Sequence, residues 1–170
     1  MRPLKYILSN LLDNEKLVYG VRPHWIIFSS TIYAGILALF FWAEEPVLLT
    51  MFMIGGWSLD ALVAACLACV AIYWGLGALI RYTTSEYGIT NKRVLIKIGW
   101  IQRTSLELML EKVEGVFVHQ TIVGRMLNYG TITIVGTGGT KDSFPYIPDP
   151  LQFRKMVQQE FDVLEHKTHD

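Results

Sequence analysis

The chain has 170 residues, of which 52% are hydrophobic and 18% are charged, and its mean hydropathy is +0.34. Average soluble domains carry about 25% charged residues, so this composition favours a membrane protein over a soluble one. The formal net charge is zero, and residues 82–170 alone hold ten basic and ten acidic side chains. This balance argues against a general nucleic-acid surface, which needs net positive charge to release counterions.

Two apolar stretches predict a membrane anchor within an N-terminal segment of residues 1–80. Residues 25–43 and 61–80 contain nineteen and twenty residues without a charged side chain. Each stretch is long enough to cross a hydrocarbon core of about 30 Å as a helix. Residues 46–57 between them are too short to span, and we expect an interfacial or re-entrant segment there. A cleaved signal peptide fits poorly, because the first stretch starts late and lacks a small-residue cleavage site.

Basic residues around the two stretches predict the orientation of the anchor. Lysine and arginine flank the anchor on its outer sides, at Arg2, Lys5, Lys16, Arg22, Arg81, Lys92, Arg93 and Lys97. Residues 43–60, between the two stretches, contain neither residue type. By the positive-inside rule, both termini are expected in the cytoplasm, which makes the chain a multi-pass protein of the cell's inner membrane.

The second stretch carries small residues at intervals of three and four, so that they form one stripe on a helix. These residues are Ala61, Ala64, Ala68, Ala71, Gly75 and Ala78. A small-residue stripe lets another helix approach closely. The partner could be the first stretch, which contains Ala34, Gly35 and Ala38, or a second copy of the chain.

After Arg81 the hydrophobic period changes from helical to two. Val94, Ile96 and Ile98 lie on one face of a predicted strand, with Leu95 among charged residues on the other. Further strands are predicted from Trp100 towards Leu106 and over residues 113–119, 130–136 and 142–147.

A helix is predicted to close this polar half. Asp149 suits the N-cap and Pro150 the first turn. Apolar residues then follow at helical spacing, at Phe153, Val157, Phe161 and Leu164. Short strands followed by one amphipathic helix predict a small barrel or sandwich over residues 82–165, with a flexible tail at 166–170.

Several short segments resemble the membrane-anchored bacterial pleckstrin-homology-like (PH-like) domain family. They are Tyr87–Val94 with Lys97-Ile98-Gly99, Leu110–Val116, Gly124–Thr131, Asp149-Pro150 with Phe153, and Glu15 with Arg22–Trp25. The resemblance implies two N-terminal transmembrane helices, then an antiparallel, strongly bent β-barrel of about seven strands with a C-terminal α-helix. It also implies a binding domain and not an enzyme.

In eukaryotic relatives of this fold, basic residues near the first two strands hold inositol phosphates. The matching residues here are Lys92, Arg93, Lys97 and Arg103. Arg93 and Lys97 share a strand face, which the anchor would hold near lipid headgroups. The sequence therefore raises the hypothesis of an anionic-lipid site, with an ordinary solvated strand face as the alternative.

The chain shows no pattern that predicts a catalytic, cofactor or metal site. Cys66 and Cys69 have the spacing of a ligand pair but lie in an apolar stretch without a second pair. Residues 136–141 lack the order of a phosphate-binding loop, so we expect a hairpin turn. His119 has no cysteine or carboxylate motif beside it and is interpreted as structural.

These observations predict an integral membrane protein that presents a PH-like binding or assembly module at the cytoplasmic face. Its partners would be the bilayer, anionic headgroups, a second copy or another membrane protein, without nucleic acid. One alternative is a subunit of a larger transport or envelope-maintenance complex that associates through its transmembrane helices. A membrane lipid enzyme is the least favoured class.

Overall fold

The computed structural model describes residues 4–44, 53–54, 56–99 and 104–169. They form two compact units. One unit contains the described residues up to His24 together with those from Arg81 onward, and the other is Trp25–Ile80. The folded domain is therefore larger than the predicted range of 82–165, because it includes residues that precede the anchor.

The described residues form five α-helices, the strands of the domain and two short 3-10 helices. The helices are α1 (Lys5–Ser9), α2 (Ser29–Glu44), α3 (Leu59–Thr84), α4 (Ile122–Met126) and α5 (Pro150–His169). The strands of the domain are β1 (Leu17–Val21), β2 (Glu86–Thr90), β3 (Arg93–Ile98), β4 (Thr104–Met109), β5 (Val113–His119), β6 (Tyr129–Gly136) and β7 (Lys141–Pro148). Short 3-10 helices cover Trp25–Phe28 and Leu110–Lys112.

The seven described strands of the domain form two antiparallel sheets, in the orders β1-β2-β3-β4 and β5-β6-β7. The turn Leu110–Lys112 carries the chain from the first sheet to the second, and β4 and β5 are not hydrogen-bonded neighbours. The predicted antiparallel strands and C-terminal helix are confirmed, but the two sheets do not join into a closed barrel. The period-two patterns and the seven strands are present, but the strand pairing leaves both sheets open.

Both sheets and α5 contribute to one hydrophobic core. Its buried members are Tyr87, Ile89, Val94, Ile96, Leu110, Ile132, Ile134, Phe144, Ile147, Phe153 and Val157. The prediction for the inner face of β3 is confirmed at Val94 and Ile96, whereas Ile98 is only partly buried. Helix α5 begins as predicted, since Asp149 Oδ1 accepts a hydrogen bond from the Gln152 N–H at 3.3 Å. It continues to His169, beyond the predicted domain end.

The second unit contains the two apolar helices. Trp25–Glu44 and Leu59–Thr84 have hydropathies of 1.9 and 2.2 and are long and apolar enough to cross a membrane. They cover the predicted stretches 25–43 and 61–80. Most of the predicted interfacial or re-entrant segment 46–57 lies outside the described residues. Its described end forms a short antiparallel hairpin of Met53–Ile54 with Trp57–Ser58.

The small-residue stripe of α3 packs within this unit. Ala64, Ala71 and Ala78 are buried, whereas Ala61 and Ala68 are half-buried. A Cβ atom on Gly75 would lie 3.1 Å from Cγ2 of Thr31, a residue of α2. The stripe therefore lies against the chain's own first helix, at least around Gly75.

Candidate functional site on the outer face of the first sheet

The outer face of the first sheet, which carries the predicted basic site, is covered by the N-terminal segment. Leu95 points away from the core yet is only 1% exposed. Gly20 and Gly88 lie opposite each other in β1 and β2, so this part of the sheet surface has no side chains. Ile7 of α1 packs directly on this bare surface, since a Cβ atom on Gly88 would lie 2.6 Å from Ile7 Cδ1. We call residues 4–16, which include α1, the N-terminal strap.

Arg93 is the centre of the contacts between the sheet and the strap. Its Nε donates to Glu15 Oε1 at 2.9 Å and its Nη2 to Glu15 Oε2 at 3.0 Å. The same Nη2 donates to the Asn10 carbonyl at 2.9 Å. On the sheet itself, Nη1 donates to Glu107 Oε2 at 2.6 Å. A bidentate pair of this kind is both strong and geometrically specific.

Glu15 is the buried partner in this network, with a side chain that is 0% exposed. Its carboxylate also accepts hydrogen bonds from the Thr90 hydroxyl at 2.7 Å and from the Leu12 N–H at 2.8 Å. Burial alone would raise the pKa of Glu15, but the hydrogen bonds from Arg93, Leu12 and Thr90 outweigh it and lower the pKa below its ordinary value. The hydrogen bond that Arg93 donates to the Glu15 carboxylate raises the pKa of Arg93 in turn. Both groups are therefore charged at neutral pH.

Glu86 provides a second attachment for the strap. Its Oε2 accepts hydrogen bonds from the N–H groups of Tyr6 and Ile7 at 3.0 and 3.1 Å. These N–H groups lie in the first turn of α1, where a helix has no backbone acceptors of its own. Its Oε1 lies 3.6 Å from Nη2 of Arg22, so the same carboxylate also contacts the segment just before the first apolar helix.

The structure brings three of the predicted basic residues together beneath or beside the strap. Lys97 Nζ lies 4.3 Å above the centre of the Tyr6 ring, which is a cation–π contact. Lys92 Nζ donates to the Asp13 carbonyl at 3.3 Å. Arg93 is held as described above, and Arg103 lies outside the described residues. A role of these residues in binding lipid headgroups stays a prediction. Their observed contacts with Tyr6, Asp13 and Glu15 hold the strap on the sheet.

Sequence reasoning missed the acidic partners of this site. The sequence predicts Glu15 only as part of the segment before the anchor, and it suggests no site role for Glu86. The signal that could have revealed them is the β-prone run Leu17–Val21 next to Glu15, which shows that the chain before the anchor can pair with a strand.

The other predicted positions carry no combination of groups that suggests chemistry. Residues 136–141 form a hairpin turn, as expected, in which the Gly136 N–H donates to the Thr140 carbonyl at 3.0 Å. His119 is exposed at the end of β5. Cys66 and Cys69 are free, exposed thiols. Within the described ranges, no three His, Cys, Asp or Glu side chains are grouped so that they could hold a metal ion.

A groove of about 490 Å³ lies between β5 and α5. Its apolar lining comes from Val113, Val116, Val157 and Phe161, while Glu114 and Asp162 add carboxylates. The lining contains no serine, cysteine, histidine or lysine that could act as a nucleophile or base beside these carboxylates.

Comparison with known protein families identifies a match over most of the chain. A family model described as "Bacterial PH domain" matches residues 32–161, which are more than half of the chain. One similar solved structure is the crystal structure of a DUF1696 family protein with a pleckstrin-homology domain from Shewanella loihica PV-4. It has 10% sequence identity and a TM-score of 0.37, over 48% of this chain and 74% of that one. Among curated proteins, none matches this chain. The match to the family model shows that the chain belongs to the bacterial PH domain family.

Proposed function

We propose that this protein is anchored in the membrane by α2 and α3 and presents its PH-like domain at the cytoplasmic face as a non-enzymatic binding or assembly module. The observation that carries this proposal is the pairing of β1 with β2, in which Val21 lies opposite Tyr87. Strand β1 precedes the two apolar helices in the chain, and β2 follows them. One folded domain is therefore built from both flanks of the anchor.

This pairing constrains how the chain can cross a bilayer. Two strands of one sheet cannot lie on opposite sides of a membrane, because the hydrocarbon core does not tolerate an open sheet edge. The number of crossings between Val21 and Tyr87 must then be even, and α2 and α3 supply two. The distribution of lysine and arginine supports the cytoplasmic side as the location of the domain.

Anchoring of this kind favours a binding role. Because both ends of the anchor leave the same sheet, the domain stays close to the bilayer and meets membrane partners at a high effective concentration. Weak contacts can then produce a stable assembly. The groove between β5 and α5 offers a surface for such contacts.

The burial of the α3 stripe makes the alternative of a complex subunit that associates through this stripe less favourable. Ala64, Ala71 and Ala78 are already buried within the unit of the two helices. Large apolar side chains elsewhere on α3, such as Tyr73 and Leu76, remain exposed and could contact lipid or another membrane protein. A membrane lipid enzyme remains the least favoured class.

Surface labelling of single cysteines tests the proposed topology. In a variant with Cys66 and Cys69 replaced by alanine, we would introduce one cysteine at Lys141 or at Trp57, which are exposed positions in the domain and between the two helices. A membrane-impermeant reagent is expected to label position 57 in intact cells and position 141 only after permeabilisation. Labelling of position 141 in intact cells would contradict the proposal.

A further inference from the structure

The loop between β5 and β6 exposes a group of large apolar side chains. Helix α4 in this loop carries Ile122, Val123 and Met126, which are 81%, 53% and 80% exposed. Arg125 on the same helix is also exposed. We call these three apolar residues the apolar turn. A contiguous exposed apolar group beside a basic residue is typical of a surface that contacts a partner or a membrane.

The fold holds the apolar turn in place, so its exposure does not come from a loose loop. Thr121 caps α4, since its hydroxyl accepts a hydrogen bond from the Gly124 N–H at 3.0 Å. Gln120 Nε2 donates to the Tyr129 carbonyl at 3.1 Å and closes the loop across its base. Gly124 is packed tightly there, because a Cβ atom on it would lie 2.7 Å from the same carbonyl oxygen.

The loop lies on the side of the domain from which the chain passes to the first apolar helix. Tyr129, at the end of the loop, stacks on His24 with ring centres 5.3 Å apart. The His24 N–H also donates to the Tyr146 carbonyl at 2.6 Å, which fixes His24 on the domain. Trp25 follows His24 directly and begins the first candidate span. The point at which the chain leaves the domain for the first candidate span therefore lies beside the base of this loop.

We propose that the apolar turn inserts into the headgroup–acyl boundary of the membrane in which the chain is anchored. Arg125 would remain at the headgroup level and contact anionic lipid phosphates. This inference rests on the proposed membrane anchoring, and it adds a third point of contact to the two ends of the anchor. Three points fix the orientation of the domain, so that the groove between β5 and α5 faces a constant direction relative to the bilayer.

Depth-dependent fluorescence quenching of the full chain in nanodiscs tests this inference. A polarity-sensitive probe would be attached to a cysteine introduced at Met126, in a variant with Cys66 and Cys69 replaced by alanine. The matched control carries the probe at Lys141, which is exposed at the far end of β6 and β7, about 20 Å from Tyr129 at ~3.3 Å per residue. Retention of the chain in the nanodisc is measured separately by co-purification with lipid.

We expect acyl-chain spin labels to quench the probe at position 126 at least about threefold more strongly than at position 141, as suits a depth of ~5–10 Å. Arg125→Glu is expected to reduce this quenching most in nanodiscs that contain anionic lipid. A retained chain whose probe at position 126 stays in water overturns the inference alone. A probe that is shielded from an aqueous quencher but not quenched by lipid also overturns it, because a protein surface then covers the turn. A chain that is not retained overturns the proposed anchoring and the inference together.

Discussion

Replacing Glu15 by glutamine should release the N-terminal strap from the first sheet. The substitution keeps the shape of the side chain but removes the charge that Arg93 contacts through two hydrogen bonds. Breaking a buried ion pair by removing one partner costs about 3–5 kcal/mol. Arg93 keeps its contacts with Glu107 and the Asn10 carbonyl, so we expect a loss nearer ~2–3 kcal/mol in the free energy of strap opening.

Hydrogen exchange of the full chain in nanodiscs measures this loss directly. The N–H groups of Tyr6 and Ile7 donate to Glu86, so we expect their amides to exchange mainly when the strap opens. At about tenfold for each 1.4 kcal/mol, the expected loss corresponds to roughly 30- to 150-fold faster exchange at these amides.

Glu107→Gln is the matched control for this experiment. Glu107 contacts the same guanidinium, but its side chain is 44% exposed. Exposed ion pairs contribute about 0–1 kcal/mol, so exchange at the strap should rise by only about fivefold or less. Equal exchange rates in Glu15→Gln and Glu107→Gln would refute the role assigned to the buried pair.

The same structure makes three further predictions. Because the folded state lowers the pKa of Glu15, the stability that this carboxylate provides is fully present above its ordinary value of 4.5 and is lost as the pH falls through the folded-state value. The equilibrium constant of strap opening, measured by exchange against pH, should therefore rise as the pH falls through this range, and Glu15→Gln should remove that dependence. Gly88→Ala should also speed strap exchange, by about 5- to 150-fold for ~1–3 kcal/mol, because the added methyl group would lie 2.6 Å from Cδ1 and 3.2 Å from Cγ2 of Ile7, so that the side chain must shift as a whole. Unchanged exchange would show that strap docking does not require a glycine at position 88. Gly75→Leu should lower the thermal stability of the helix pair in detergent, whereas Gly77→Leu, with no atom within 4 Å of its added Cβ, should not; equal melting temperatures would contradict the packing of α2 on α3.

Local patterns predicted the elements whose form depends on neighbouring residues. The limits of β5 at Val113 and His119 agree with the prediction, and α5 begins directly after Asp149 as expected. Alternation along β3 identified its inner face. Turn residues, capping residues and hydrophobic periods are all contained in short stretches of chain, so they can be recognised without knowledge of the fold.

The features that the sequence did not reveal depend on contacts between distant parts of the chain. Glu15 and Arg93 are 78 positions apart, with the whole anchor between them. A basic residue on a strand has the same local pattern whether water or another segment covers it. The sequence therefore predicted a solvated or lipid-binding face at Arg93 and Lys97. Whether the predicted bent barrel closes could not be foreseen for a related reason, because strand order along the chain does not determine whether β4 pairs with β5.

The central claim is that residues from both flanks of the anchor build one domain, and a comparison of two soluble fragments tests it most directly. One fragment joins residues 4–24 to residues 81–170 through a flexible linker, and the other contains residues 81–170 alone. We expect the joined fragment to unfold in one cooperative thermal transition, because it retains β1 and the strap over Leu95. The shorter fragment should aggregate or unfold without cooperativity, since it exposes Leu95 and the free edge of β2. Equal cooperativity and equal melting temperatures in the two fragments would contradict the account.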